Sequence, residues 1–302
     1  MNLGIDVGNR SLKLVVTENN KLVEWVYLPN EGIVPTFKKA LSILNQKIDL
    51  DNINRIGICG AGRNFLAALI KPQVVRTEII ALYQGILNEF PYNEFTIFEI
   101  GGEDAKILVI RDKMIKDFVL NSLCSANLGT YLESIAHRLG VKIEDFGLLA
   151  LGGEPLPISS KCAVFSISSC LSLLNQGAKK EDILAGVAQS LVRNFLSMYK
   201  KPMPLPYIFC GGVALNEAIH YYLEKETKSM VFCASNPLIV SAKGIAYLAS
   251  QSLPSSFNLK ELITKDIKTS CFFCSGCSNN CKIIQIGEAF FGSKCGKYER
   301  SN

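Results

Sequence analysis

The chain contains the same sequence pattern twice. Residues 3–16 read LGIDVGNRSLKLVV and residues 98–110 read FEIGGEDAKILVI. Each stretch has an apolar strand, an acidic residue, a glycine turn, a lysine and a second strand of β-branched residues. This pattern predicts a hairpin whose tight turn presents backbone N–H groups beside a carboxylate. Two such hairpins, about one small domain apart, predict a duplicated α/β fold that holds a polyphosphate between its halves.

Composition places the chain among globular proteins. Its 302 residues suffice for about two domains, and 48% hydrophobic with 20% charged residues allows packed cores. The net charge of +5 is too small and scattered to indicate a nucleic-acid partner. No apolar run reaches the roughly 20 residues of a membrane span. Because MNLGIDVG already reads as a strand, we expect no secretion signal and a cytoplasmic location.

The order of predicted elements divides the chain into three parts. Residues 1–95 form one α/β unit, and residues 96–255 begin the pattern again. Residues 256–302 form a cysteine-rich tail, which is too short to build a core without a metal or cluster. The longer predicted helices lie near 35–47, 78–89, 128–139, 162–176, 181–198 and 237–251.

Cysteine is the unusual component of the composition. There are 11 cysteines but only two histidines, and five of the cysteines fall within residues 271–295. Clustered cysteines without a leader fit a reducing cytoplasm and metal or cluster ligation better than disulfides. Scarce histidine argues against a histidine-based zinc enzyme and against a Ser-His-Asp triad.

The first hairpin offers one acidic residue and a glycine turn. Asp6 can hold a Mg²⁺-bound water, and Gly8 lets the backbone approach a phosphate. An ordinary hairpin with a helpful glycine remains the alternative. The candidate cofactor-binding residues here are Gly8, Asn9, Arg10, Ser11 and Lys13.

The second hairpin is more specific, because two glycines and three carboxylates crowd one turn after an apolar strand. Carboxylates there can orient an attacking water or hold magnesium. A solvated acidic turn is the alternative. The candidate residues are Glu99, Gly101, Gly102, Glu103, Asp104 and Lys106, of which Glu99, Glu103 and Asp104 join Asp6 as catalytic candidates.

Two further glycine turns each follow a strand. Gly211 and Gly212 precede a helix that carries Asn216, and such a pair permits close approach of a flat ligand such as adenine. An ordinary turn between a strand and a helix is the alternative interpretation of these residues. The turn from Gly60 through Gly62 to Arg63 is weak evidence of a ligand site, because an ordinary turn between a strand and a helix also explains it.

The order of these segments resembles the superfamily of acetate kinase, sugar kinases, actin and heat-shock chaperone ATPases. Within it, the chain is most similar to the activator ATPases of 2-hydroxyacyl-CoA dehydratases and benzoyl-CoA reductases, the BadF/BadG/BcrA/BcrD ATPase family. The likeness covers residues 1–250 almost continuously, and it implies a duplicated actin-like (ribonuclease H-like) ATPase fold with mixed sheets. Besides the residues above, it rests on Glu78, on NSLCSANLGTYLE at 121–133, ISSKCAVF at 158–165, LLNQGAKKEDILAGV at 173–187 and GGVALN at 211–216.

The resemblance implies a role for Cys124 and Cys162. Each precedes a predicted helix, whose N–H groups and macrodipole favour a thiolate or an anionic cluster. Two thiolates do not complete a 4Fe–4S cluster, which usually takes four. From the residues alone, two buried structural cysteines are the alternative. The resemblance implies one cluster that is bridged across a homodimer by these two cysteines from each subunit.

The tail carries a cysteine spacing typical of metal or cluster binding. The run from Cys271 to Cys281 resembles a ferredoxin run, except that Lys282 stands where a proline usually follows. A four-cysteine zinc site without Cys271 is the alternative. The candidate ligands are Cys271, Cys274, Cys277, Cys281 and Cys295.

The chain departs from the family pattern at three places. Glu99 and Glu103 stand where Asp and Gln are usual, and a longer carboxylate shifts the position of a water. Residues 127–130 read NLGT where the family usually carries a Gly-Thr-Gly run and then Arg, and the loss of a glycine, a hydroxyl and a guanidinium weakens the expected phosphate contacts. Gly129 stays a candidate cofactor-binding residue. Residues 9–11 read NRS where small hydroxyl residues are expected. Nucleotide binding survives such changes more readily than fast hydrolysis does.

The resemblance implies an ATP-dependent one-electron donor. It would use ATP, Mg²⁺ and the bridged cluster to reduce a 2-hydroxyacyl-CoA dehydratase or a related iron–sulfur reductase, and a ferredoxin or flavodoxin-like donor would supply its electrons. Closure of the halves on Mg-ATP would rotate the helices that begin near Cys124 and Cys162. Two alternatives stay open: a small-molecule kinase on the same scaffold, and a nucleotide-gated regulatory module with a structural zinc tail.

Overall fold

The computed structural model describes residues 1–121, 128–158, 163–286 and 289–298. Its contacts divide the chain into two compact units. One consists of Met1–Gly85 with Ser241–Asn302, and the other of Ile86–Val240. Among the described helices, none combines the length and apolarity that a bilayer crossing requires.

The first unit contains a five-stranded mixed sheet with strand order β3-β2-β1-β4-β5. β1, β2 and β3 are antiparallel neighbours, whereas β4 runs parallel to β1 and β5 parallel to β4. The elements, in chain order, are β1 (Asn2–Val7), β2 (Ser11–Glu18), β3 (Lys21–Pro29), α1 (Ile33–Asn45), β4 (Arg55–Cys59), α2 (Arg63–Ile70), β5 (Val74–Val75) and α3 (Glu78–Glu89).

The second unit repeats this plan, with strand order β8-β7-β6-β9-β10 when its sheet is followed from the opposite edge. β6 and β7 form the second hairpin, and β9 runs parallel to β6. The elements of this unit are β6 (Phe95–Ile100), β7 (Ala105–Arg111), β8 (Met114–Asn121), α4 (Leu128–Leu139), α5 (Phe146–Leu151), α6 (Ala163–Asn175), α7 (Lys180–Ser197), β9 (Tyr207–Cys210), α8 (Glu217–Thr227) and β10 (Val231–Cys233). Helix α9 (Val240–Ser250) follows them in the chain.

The tail forms a small antiparallel sheet of its own, in the order β11-β12-β13. Its elements are α10 (Leu259–Thr264), β11 (Thr269–Phe273), β12 (Lys282–Ile286) and β13 (Ala289–Phe291). Contacts group the tail with the first unit.

The core of each unit follows from the spacing of its apolar residues. β1 and β6 are buried at every position, as expected for strands covered on both faces. On α1, Phe37, Leu41 and Leu44 recur at the helical period and are fully buried against the first sheet. In the second unit, Phe98 on β6 meets Phe195 on α7 edge to face at 5.5 Å.

Helix α9 belongs to the first unit from Ser241 onward, although the sequence pattern groups residues 96–255 together. Gly4, Gly57 and Gly244 let the backbone of this helix pack closely against that of β1, β4 and α3. A Cβ on Gly4 would lie 1.9 Å from the carbonyl oxygen of Ala242, and one on Gly244 would lie 1.9 Å from that of Ala81. Such packing joins segments far apart in sequence, so the order of elements along the chain does not predict it.

Replacing Gly244 with alanine tests this packing. The added methyl group meets backbone atoms of α3 that cannot move independently, so we expect the free energy of unfolding to fall by about 2 kcal/mol or more. Urea unfolding measures the loss. Gly152→Ala is the matched control, because its Cβ would lie no closer than 3.4 Å to another residue. Equal stability of the two variants would contradict the close approach.

Candidate functional site

The first hairpin places one carboxylate and one ammonium group side by side within the sheet. Asp6 on β1 pairs with Lys13 on β2 in the strand register. The side-chain atoms Lys13 Nζ and Asp6 Oδ2 are 2.7 Å apart, and Asp6 is only 2% exposed. The turn closes through a 2.9 Å hydrogen bond from Gly8 N–H to the Ser11 carbonyl. Asn9 and Arg10 are exposed at its tip.

The second carboxylate oxygen of Asp6 distinguishes this hairpin. Asp6 Oδ1 is buried and has no hydrogen-bond partner within the described part of the chain. A Cβ on Gly60 would lie 2.6 Å from it, so the glycine keeps its surroundings open. Because a buried carboxylate oxygen needs a donor or a cation, this atom fits a Mg²⁺-bound water.

The second hairpin repeats the arrangement with an additional carboxylate. Glu99 on β6 pairs with Lys106 on β7, and Lys106 Nζ lies 2.7 Å from Glu99 Oε2. Asp104 Oδ2 approaches the same ammonium group at 3.0 Å. Lys106 is 3% exposed, so this ion pair lies largely out of water. Gly101 N–H donates to the Asp104 carbonyl at 2.9 Å and closes the turn.

A parallel strand in each unit carries a cysteine and a glycine in the same register. Asp6 lies beside Cys59 of β4, and Glu99 lies beside Cys210 of β9. Gly60 and Gly211 follow these cysteines, and both have φ +90°, a conformation that favours glycine. The order of elements along the chain does not predict this correspondence. The signal was the recurrence of ICG and FCG at the ends of the two strands.

The two cysteines in this register are fully buried. Burial, together with the nearby carboxylates of Asp6 and Glu78, raises the pKa of the Cys59 thiol well above its usual value. Cys210 donates a long hydrogen bond to the Phe98 carbonyl. The Cys59 thiol therefore packs as a neutral group beside Asp6.

The turn of the second hairpin also holds the N-terminus of helix α4. Gly129 N–H donates to the Gly101 carbonyl and Thr130 N–H to the Gly102 carbonyl, both at 3.1 Å. The Thr130 hydroxyl donates to the Gly102 carbonyl as well, at 3.1 Å. The first N–H groups of a helix lack partners within it, and here the glycine turn supplies them.

A buried polar contact joins α4 to α6. The hydroxyl groups of Tyr131 on α4 and Ser166 on α6 are hydrogen-bonded, and both residues are buried. Burial raises the pKa of Tyr131 to about 12. It also raises the pKa of Cys170, one turn along α6, to about 11. Both groups are therefore neutral near pH 7 and hold the two helices together through uncharged contacts.

The other candidate residues lie at these same turns or beyond them. Glu103 is exposed, and Asp104 is half-buried. Gly212 is exposed, and no atom lies closer than 3.7 Å to the position of its Cβ. The side chain of Asn216 accepts a hydrogen bond from Ile219 N–H at 3.1 Å and caps α8. Cys124 and Cys162 fall outside the described residues.

The tail cysteines divide by burial. Cys274 and Cys281 are buried, whereas Cys271, Cys277 and Cys295 are exposed. In the described ranges, no three His, Cys, Asp or Glu side chains are close enough together to hold a metal ion.

Three findings relate the chain to known proteins. The pattern of the BadF/BadG/BcrA/BcrD ATPase family matches residues 3–248. The activator of lactoyl-CoA dehydratase from Anaerotignum propionicum is 31% identical over 259 residues, which is 83% of this chain and 97% of that protein. The uncharacterized protein MJ0800 from Methanocaldococcus jannaschii is 26% identical over 258 residues, or 83% of this chain but only 62% of that longer protein.

A solved structure gives the fold. The activator of the 2-hydroxyisocaproyl-CoA dehydratase from Clostridium difficile with bound ADPNP superposes with a TM-score of 0.76 at 25% identity, covering 88% of this chain and 99% of that one. The chain therefore has the actin-like ATPase fold, as the family resemblance implies. The small cysteine-rich sheet lies beyond residue 248, where the family match ends.

Removing the ammonium group of Lys106 tests the buried ion pair. In Lys106→Met, Glu99 and Asp104 lose their shared partner, so we expect a loss of about 3–5 kcal/mol in the free energy of unfolding. Urea unfolding at neutral pH measures it. Lys201→Met is the control, because Lys201 pairs with Asp117 at 2.7 Å but is exposed, and it should change stability little. Comparable losses in both variants would show that burial does not matter here.

Proposed function

The chain belongs to the BadF/BadG/BcrA/BcrD ATPase family, and we propose that it is an ATP-dependent activator that passes single electrons to a partner enzyme. The relatives named for activation of acyl-CoA dehydratases support this proposal. The partner would be a 2-hydroxyacyl-CoA dehydratase or a related iron–sulfur reductase, and a ferredoxin or flavodoxin-like protein would supply the electrons.

The paired hairpins are the proposed contacts with Mg-ATP. When bound, Mg²⁺ would neutralise phosphate charge. The unpartnered Asp6 Oδ1 supports a role for Asp6 in holding a Mg²⁺-bound water. Lys13 and Lys106 hold the carboxylates of Asp6 and Glu99 in fixed positions. The turns after Gly8 and Gly101 would offer backbone N–H groups to phosphate oxygens.

Cys124 and Cys162 are the proposed thiolate ligands. A 4Fe–4S cluster supplies one-electron chemistry and takes four thiolates, so two cysteines per chain imply that a homodimer shares one cluster. Helices α4 and α6 begin within a few residues of these cysteines.

The observation that carries the proposal is the contact between the second hairpin and α4. The three hydrogen bonds from Gly129 and Thr130 fix the start of the helix to the Gly101–Gly102 turn. A nucleotide that moved this turn would also move the segment that contains Cys124. The Tyr131–Ser166 contact would pass the movement on to α6, which follows Cys162. In this way, ATP binding would change the surroundings of the cluster.

Iron analysis and electron paramagnetic resonance test the proposal. The wild-type chain, purified without oxygen and reduced with dithionite, should show about four irons per dimer and the signal of a reduced 4Fe–4S cluster. Both should vanish in the double variant Cys124→Ala, Cys162→Ala, because the cluster loses all four ligands.

The control is Cys233→Ala, which removes an exposed thiol from the edge strand β10 of the same unit. It should keep both the iron and the signal. An unchanged cluster in the double variant would exclude the proposed ligands. A wild-type chain without this cluster, whose ATP hydrolysis rises with a sugar or acid, would favour the kinase instead.

Thr130→Val tests the coupling. Valine keeps the shape of threonine but loses the hydroxyl bond to Gly102, which contributes about 1 kcal/mol. We expect the change in the cluster spectrum between ADP and an ATP analogue to shrink, while ATP hydrolysis continues. Ser134→Ala removes a hydroxyl from the exposed face of the same helix and should leave that change intact. If both variants behave like the wild type, the hydroxyl bond of Thr130 does not couple the two sites.

A further inference from the structure

We propose that the tail is a zinc site formed by the thiolates of Cys274, Cys277, Cys281 and Cys295. The family match ends at residue 248, so this site would be an addition to the ATPase. The proposal is independent of the function proposed above.

The strand register excludes Cys271 from this set. Cys271 is the third residue of β11 and lies opposite Ile284 of β12, with its side chain exposed. Cys274 is the first residue after that strand and is buried. Three residues of extended strand span about 10 Å, whereas zinc ligands must all lie about 2.3 Å from one ion. A ferredoxin run would need Cys271, Cys274 and Cys277 in one loop, and β11 separates the first from the others.

Two of the remaining sulfur atoms already receive hydrogen bonds. Gly276 N–H donates to Cys274 Sγ at 3.3 Å. Cys295 Sγ lies 3.5 Å from the Ser293 hydroxyl, and the backbone N–H of Lys297 also bonds to it. Such N–H···S bonds to the residue two positions earlier orient and stabilise metal-bound thiolates. They are present here at two turns far apart in sequence.

These two turns lie next to each other. Lys297 Nζ is 3.3 Å from the position that a Cβ on Gly276 would occupy. Four thiolates around Zn²⁺ carry a net charge of −2, which the ammonium group of Lys297 would partly offset.

Cys281 lies beside Cys274, at the other end of the loop that connects β11 to β12. Cys274 N–H donates to the Cys281 carbonyl at 2.8 Å. The two cysteines form one buried cluster with Ile283, and Phe290 and Tyr298 pack against it. No three of the described thiols gather around one point, so the proposed ligand set would assemble as zinc binds and completes the folding of the tail. Four cysteines in two turns that each carry an N–H···S bond match the ligand chemistry of a structural zinc site, and the metal counts below distinguish zinc from iron.

A zinc-ordered tail would support the first unit beside its hairpin. Phe291 on β13 packs against Phe65 on α2, with ring centroids 5.5 Å apart. Helix α2 begins at Arg63, just after the Gly60 turn that adjoins Asp6.

Zinc and iron counts on the full chain test the proposal. Cys277→Ser and Cys295→Ser change exposed sulfur atoms, so neither variant loses a buried contact. We expect about one zinc per chain in the wild type and almost none in either variant. Cys271→Ser, an exposed cysteine in the same sheet, is the matched control and should keep its zinc. Release of zinc from the wild type by a mercurial, followed with a chromogenic chelator, measures the same stoichiometry without any substitution.

Three outcomes would overturn the assignment. They are iron rather than zinc lost from Cys277→Ser, metal lost from Cys271→Ser, and a wild-type chain without zinc. The double variant Cys124→Ala, Cys162→Ala should keep the tail zinc, so that failure of the electron-transfer proposal and failure of this one can be told apart.

Discussion

The buried pair of a lysine and a carboxylate across each hairpin constrains the rest of the structure. An unpaired charge within a sheet costs several kcal/mol, so each hairpin is stable only in the register that brings the two groups together. A slip of one residue would turn the lysine to the opposite face of the sheet. Lys13 meets Asp6 and Lys106 meets Glu99 at the same spacing of seven residues. The glycine turn between them is thereby held in the same place in both units.

The two units share a scaffold but differ in chemistry. In the first, Asp6 uses one oxygen for Lys13 and leaves the other buried without a hydrogen bond within the described chain. In the second unit, Glu99 and Asp104 both approach the ammonium group of Lys106. The glycine turn of this hairpin accepts hydrogen bonds from the N-terminus of α4. One copy of the repeat is thus suited to receive a cation, and the other is suited to hold a helix.

Local signals allowed much of this fold to be predicted. The predicted helices near 162–176 and 181–198 correspond to Ala163–Asn175 and Lys180–Ser197, because apolar spacing and neighbouring turn residues define them. The sequence pattern also identified Asp6, Lys13, Glu99 and Lys106 as candidate site residues, whose proposed roles remain predictions, but it did not predict the two ion pairs between them. Contacts between distant segments were not predictable in this way. Backbone packing at Gly244 assigns α9 to the first unit, and the equivalence of Cys59 and Cys210 depends on a parallel register.

The number of cysteines does not by itself indicate which of them have thiolate character. Burial raises the pKa of Cys59 and of Cys170, the latter to about 11, so each is a neutral packing group near pH 7. At Cys295, hydrogen bonds from Ser293 and from backbone N–H groups lower the pKa of the thiol. Thiolate character in this chain therefore depends on hydrogen-bond donors and exposure to water, which a count of cysteines does not reveal. The spacing of cysteines in the sequence indicates candidate ligands, whereas their burial and hydrogen-bond donors are evident only in the folded chain.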